Sequence, residues 1–156
     1  MSKVYSLKAI QKIPVDINIA WEFFSNANNL ALITPVNMRF KIISQHNNSD
    51  KLYPGQIIEY TVKPLLGIPL YWMTEITHLQ DKKYFTDEQR FGPFSFWHHQ
   101  HHFAPIVGGI EMIDIVHYKL PLWWLGSMAN ALFVKKQLND LFYYRSNKIV
   151  ELFGVL

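Results

Sequence analysis

The side chains with the most chemistry in this chain crowd into one stretch. Five of the seven histidines lie between Asp87 and Tyr118, alongside Asp87, Glu88, Glu111 and Asp114. Imidazoles beside carboxylates can hold a metal, move a proton or anchor the polar end of a guest; which applies depends on which side chains share a face. Phe94 to Phe103 and Ile110 to Tyr118 read as two strands of a hairpin joined by a loop from Ala104 to Gly109. Strand alternation then sets Trp97, His99, His101 and Phe103 on one face and Phe96, His98, Gln100 and His102 on the other. On the return strand Ile110, Met112, Asp114, Val116 and Tyr118 share a face. Pairing Phe103 with Ile110 places His101 opposite Met112, His99 opposite Asp114 and Trp97 opposite Val116.

That arrangement favours a polar anchor on a greasy wall. His99, His101 and Asp114 have the composition of a two-histidine, one-carboxylate centre, but a buried, ligand-facing His–Asp pair accounts for the pattern without an ion, and no metal or cofactor is expected. His98 and His102 are about 13 Å apart along a strand, too far to share an ion. No Gly-x-Ser-x-Gly elbow occurs, so a serine hydrolase has no support. Proton transfer by His99, Asp114 and Tyr118 on a bound ketone is the enzymatic alternative. Tyr60 and Trp72, from earlier strands, join Trp97, His99, His101, Phe103, Met112, Asp114, Val116 and Tyr118 as expected ligand-binding residues. Glu59, Glu75, Asp87 and Arg90 read as rim or solvated charges.

The elements that must position these residues can be read in order. Val4 to Ile13 alternates as a strand and ends at Pro14. Asp16 stands where a helix cap should, before Ile17, Ala20, Trp21 and Phe24 at helical spacing. After the polar cluster Ser25 to Asn29, Leu30 to Ile33 reads as a second short helix. Strands follow from Met38, Gln56 to Lys63, Tyr71 to Leu79 and Tyr84 to Phe91, with a turn over His46 to Asp50. From Leu125 the period becomes helical, and Ala131, Val134, Leu138, Leu141, Phe142, Arg145, Ile149 and Leu152 recur at steps of three and four.

Composition sets the limits. The chain has 156 residues, 49% hydrophobic, 15% aromatic and 17% charged, enough for a substantial core in one domain spanning 1–156. It has no cysteine, which excludes disulfides and thiol chemistry. A net charge of +3 without basic blocks gives no nucleic-acid surface. Nothing at the start reads as a signal peptide, and Leu120 to Val134 is too short and polar to span a bilayer. A cytoplasmic protein is expected, its oligomeric state unspecified.

The order of a strand, two short helices, six strands and a long helix resembles the helix-grip fold of the START and Bet v 1-like superfamily, which includes polyketide cyclases and coenzyme Q-binding proteins. More specifically, Asp87-x-Gln89-x-x-Gly92-Pro93-Phe94-x-x-Trp97-x-His99-x-His101-x-Phe103 followed by Asp114-x-Val116-x-Tyr118-x-Leu120-Pro121 is similar to a bacterial ligand-binding family often labelled "cell division inhibitor". Some members of that family carry a fused nucleotide-sugar epimerase-like domain. The resemblance implies an α+β fold in which a curved antiparallel seven-stranded sheet wraps around the C-terminal helix. It also implies an internal cavity for a small hydrophobic, lipid-like or polycyclic ligand, in a carrier or sensor. A polyketide cyclase or aromatase and a protein-interaction module are the competing readings. Transient membrane contact would use Trp123 and Trp124 as an apolar lip.

Overall fold

The computed structural model describes residues 3–44, 51–65, 68–121 and 128–156. Strand β1 (Tyr5–Ile13) leads to helix α1 (Ile17–Phe24) and two 3₁₀ turns, Ala27–Ala31 and Val36–Met38. Strands β2 (Lys41–Ile42), β3 (Ile57–Leu65), β4 (Ile68–Gln80), β5 (Tyr84–Phe91), β6 (Phe96–Ile106) and β7 (Gly109–Lys119) follow, and helix α2 (Met128–Phe153) comes last. The strands form one sheet in the order β1-β7-β6-β5-β4-β3-β2, every neighbour antiparallel. Among the described residues no helix is long and apolar enough to cross a membrane.

Local chemistry explains the opening elements. Pro14 closes β1, and the Asp16 carboxylate accepts from the Asn18 amide at 2.8 Å, satisfying a free donor of α1. Asn26 caps the first 3₁₀ turn in the same way, accepting from the Asn28 amide at 3.0 Å. This turn occupies Ala27–Ala31 rather than the expected Leu30 to Ile33. The strand expected from Met38 is reduced to Lys41–Ile42, because Val36–Met38 turns and Arg39 adopts a left-handed backbone, φ 44°. The turn expected over His46 to Asp50 lies outside the described residues, as do Trp123 and Trp124.

The focal hairpin closes more tightly than the sequence suggests. β6 runs on to Ile106 and β7 resumes at Gly109, so only Val107 and Gly108 turn the chain. Ala104-Pro105 looked like a loop because proline removes a ladder donor. Here it removes none: the amide of Phe103 bonds Lys83 on the β5 side at 2.8 Å, and two residues on, Pro105 faces that side where β5 has ended. The tighter turn shifts the register by two. Phe103 pairs with Met112 instead of Ile110, His101 with Asp114, His99 with Val116 and Trp97 with Tyr118. An even shift leaves every side chain on its expected face.

Two packed clusters border the sheet's inner face. One gathers Ile13, Trp21, Phe85, Phe103 and Ile110; the other gathers Trp97, Val116, Tyr118, Leu138 and Phe142. Helix α2 contributes Val134, Leu138, Phe142 and Ile149 as buried positions, whereas Leu152, expected on the same face, is 47% exposed in the last turn. Gln11 of β1 ties to this helix, its amide nitrogen donating to the Ser146 carbonyl at 3.0 Å.

The hairpin's exit is held by a backbone approach. A Cβ added at Gly109 would lie 2.1 Å from the carbonyl oxygen of Ile13. Gly109→Ala is therefore expected to cost about 1–3 kcal/mol, by analogy with overpacked sites. Urea unfolding measures it; a stability equal to the parent would show that the β1–β7 contact yields freely.

Candidate functional site

Four side chains from three adjacent strands meet on the inner face. Asp87 of β5 stands directly across from His99 of β6, and His101 of β6 directly across from Asp114 of β7. His99 Nε2 donates to Asp114 Oδ1 at 2.9 Å, and His101 Nε2 donates to Asp87 Oδ2 at 2.8 Å. Nδ1 of His101 lies 2.9 Å from the same Asp114 oxygen but outside hydrogen-bond geometry, an electrostatic contact. Nδ1 of His99 lies 3.5 Å from Asp87 Oδ2. The two imidazole centroids are 3.8 Å apart. Each histidine therefore lies between two carboxylates. The guanidinium of Arg145, delivered by α2, adds a cation whose field reaches both Asp114 and Asp87.

Burial and charge pull against each other throughout this cluster. Burial alone would raise Asp114, but the close positive charge of His101 and the hydrogen bond from His99 outweigh it and hold the carboxyl far below the usual range. Burial likewise opposes ionisation of Asp87, and the nearby His99 and the His101 hydrogen bond reverse the balance, lowering its pKa. His101 responds the other way: burial would lower it, but Asp114 and Asp87 raise it to about 9. His99 is lowered by burial and by the neighbouring His101. The cluster at neutral pH is thus two carboxylates against an imidazolium and a guanidinium, with His99 neutral between them.

The cluster opens on a cavity of about 770 Å³ between the sheet and α2, inside the range of small-molecule sites. Ile58, Tyr60 and Val62 of β3, Trp72, Thr74 and Ile76 of β4, Met112 of β7, and Val134, Leu138 and Leu141 of α2 line it, together with Asp87, His99, His101 and Arg145. The 3₁₀ region adds Ala27, Leu30, Val36 and Met38. Of the ten expected ligand-binding residues, Tyr60, Trp72, Trp97, His99, His101 and Met112 border the cavity. The other four lie behind its surface. Asp114 backs the two histidines. Phe103 packs edge-on against Trp21 at 5.5 Å, Val116 is fully buried, and Tyr118 stacks on Tyr5 at 5.5 Å.

Two residues of the cluster, Asp87 and Arg145, are not among the ten expected ligand-binding residues. Asp87, read as a rim or solvated charge, faces inward and borders the cavity. Its parity with Phe85, two residues earlier and buried, is the signal that would have placed it. Arg145 was placed on the apolar face of the last helix, but an arginine on such a stripe is itself a sign of buried anionic partners. Of the motif's other positions, Gln89 is structural: its side chain donates to the Phe94 carbonyl at 2.6 Å and accepts from the Phe94 amide at 3.2 Å, closing the Gly92-Pro93 turn. His98 and His102 lie on the outer face, joined through Gln100 and ending at Glu88.

Asp87, His99 and His101 offer three ligand-type atoms within 4.8 Å of one another. By distance they could hold a divalent ion, with Asp114 fixing both rings from behind. The Arg145 cation stands against it, and the two carboxylates already have cationic partners.

No family model matches the chain, and no curated protein matches it. Solved structures do. Protein Ms6760 from Mycobacterium smegmatis superposes with TM-score 0.68 at 15% identity, covering 97% of this chain and 96% of that one. Ara h 8.0201 superposes with TM-score 0.59 at 15% identity, over 96% and 99% of the two chains. A nucleoside-diphosphate sugar epimerase from Corynebacterium glutamicum matches with TM-score 0.64 at 19% identity, over 93% of this chain and 28% of its own. The chain has the Bet v 1-like helix-grip fold.

The cluster's charge state sets a pH dependence. His101 is raised above its ordinary 6.5, so its contribution to stability is complete below that value and lost as pH rises through about 9. Asp87 and Asp114 are lowered, so theirs is present above the usual carboxylate range and lost in acid. His99 is lowered, so it favours the fold as pH rises through its ordinary value. NMR titration should find the His101 ring protonated to about pH 9 and the His99 ring already losing its proton at a pH lower than 6.5. Two rings titrating together near 6.5 would contradict the network.

Proposed function

We propose that this protein binds a small hydrophobic molecule, lipid-like or polycyclic, in the cavity between the sheet and α2, as a carrier or sensor. The observation that carries the proposal is the cavity itself: about 770 Å³, walled by aliphatic and aromatic side chains, with one polar cluster on its surface. An apolar chamber with few polar groups is how small-molecule sites are built. An interaction module that needed only an outer surface would gain nothing from leaving this space unfilled, since closing it would add dispersion contacts.

The polar cluster gives the guest an orientation. His99 and Arg145 border the space, and Tyr60 lies beside them with its hydroxyl 3.4 Å from that of Thr74. A hydrocarbon body would lie against Trp97, Val134 and Leu138, and its polar end would turn toward the cluster. Of the three residues named for proton transfer, His99 borders the cavity, whereas Asp114 and Tyr118 lie behind its surface. That geometry favours holding a guest over transforming it.

The test is to fill the space. Leu141 borders the cavity from α2 and is only partly buried, so Leu141→Trp can intrude without displacing core. An apolar fluorescent probe should bind the parent at one site per chain, and the variant at least about tenfold more weakly, on the order of 1.4 kcal/mol. Unchanged circular dichroism would show the fold intact. Equal probe affinity in the two proteins would place the probe elsewhere and count against the cavity.

A further inference from the structure

The cavity's unpaired polar atoms differ from those of a plain core in one respect. Among the described residues, the buried side-chain polar atoms without a hydrogen-bond partner are three nitrogens and no oxygen: Trp72 Nε1, Arg145 Nε and His101 Nδ1. All three residues border the cavity. His101 Nδ1 has the Asp114 carboxylate 2.9 Å away; the other two have no acceptor. Trp72 is only 9% exposed, with its ring enclosed by Tyr60, Phe94 and Trp97 at 5.3–5.8 Å. An indole N–H and a guanidinium N–H can only donate, and leaving either buried and unpaired costs free energy. What these two donors lack is an acceptor.

We infer that the preferred guest carries an uncharged acceptor oxygen, a ketone or ester carbonyl on an otherwise apolar body, which receives hydrogen bonds from Arg145 and Trp72. The inference rests on the cavity-binding reading above and adds the chemistry of the guest's polar end. Both nitrogens are closed to solvent, so donating to a guest requires the two side chains to turn toward the space they border. Charge selects the neutral acceptor over an acid. Arg145 already faces two carboxylates, Asp87 and Asp114, with His99 and His101 the titratable groups between them and Tyr60 beside the guanidinium. With one imidazole protonated the cluster is balanced, and a guest carboxylate would leave a buried negative charge unmatched. With neither protonated the mismatch would be worse.

The experiment compares three guests of nearly one shape: acetylnaphthalene, isopropenylnaphthalene, in which a methylene replaces the carbonyl oxygen, and naphthoate. Each competes with an apolar fluorescent probe for the full chain at neutral pH. Acetylnaphthalene should bind about tenfold or more tightly than isopropenylnaphthalene, as a hydrogen bond from a charged donor allows, and more tightly than naphthoate. In Arg145→Met, which keeps the apolar stem, the preference for the carbonyl should fall toward unity; Trp72→Phe should reduce it in part. Isopropenylnaphthalene affinity in each variant reports that the cavity is intact. A parent protein that does not prefer the carbonyl, one that prefers naphthoate, or a preference unchanged in both variants would overturn the inference while leaving hydrophobic binding standing. Failure of the probe and all three guests to bind would overturn the binding reading and this inference with it.

Discussion

Two carboxylates, Asp87 in the wall of an apolar cavity and Asp114 buried just behind it, are the constraint to which the rest of this structure answers. Asp87 and Asp114 stay ionised because each is matched at close range: Asp114 by both imidazoles, Asp87 by His101, and both by the field of Arg145. Removing one cation would strand a buried charge, the costly way to break such a cluster. The demand is geometric as well as electrostatic. The four strand residues come from β5, β6 and β7, so those strands must be neighbours in one register, while the guanidinium comes from the other layer. The tight turn at Val107-Gly108 and the seating of α2 across the sheet are therefore parts of one requirement.

Meeting it has a consequence for the space beside the cluster. Helix α2 is fastened at the Gln11–Ser146 bond and through Phe142 and Ile149, and Arg145 lies within this stretch. Toward its N-terminal half, Val134, Leu138 and Leu141 face the cavity. Side chains of β3 and β4 face α2 across the cavity, and the short 3₁₀ turns border it. A chamber with polar atoms at one part of its wall and aromatic rings elsewhere suits a guest with one polar end. Similarity to Ara h 8.0201 and Ms6760 lies in this architecture; at 15% identity it extends to the fold alone.

Much of this was legible in the residues, and the failures have physical reasons. Alternation placed Trp97, His99, His101 and Phe103 inward and His98 and His102 outward, because a two-residue period survives any even shift of register. Pairing did not survive: Ala104-Pro105 has loop composition, and only the absence of β5 alongside makes proline harmless in a strand there. Asp87 was misplaced because a lone carboxylate on a strand is usually solvated, and its partners lie on another strand. Arg145 fell on the correct helix face, yet its charge became meaningful only once the sheet brought two aspartates beneath it. The cavity could not be read at all from local pattern, since its volume is set by how far the helix stands from several strands at once.

The most direct measurement is native mass spectrometry of the full chain purified without detergent or organic solvent, before and after extraction of small molecules. Cavity binding predicts a mass above that of the bare chain by one apolar molecule, lost on extraction, identifiable in the extract and regained when that molecule is returned. A chain at its bare mass that takes up nothing from an apolar extract of its own host cells would contradict the account.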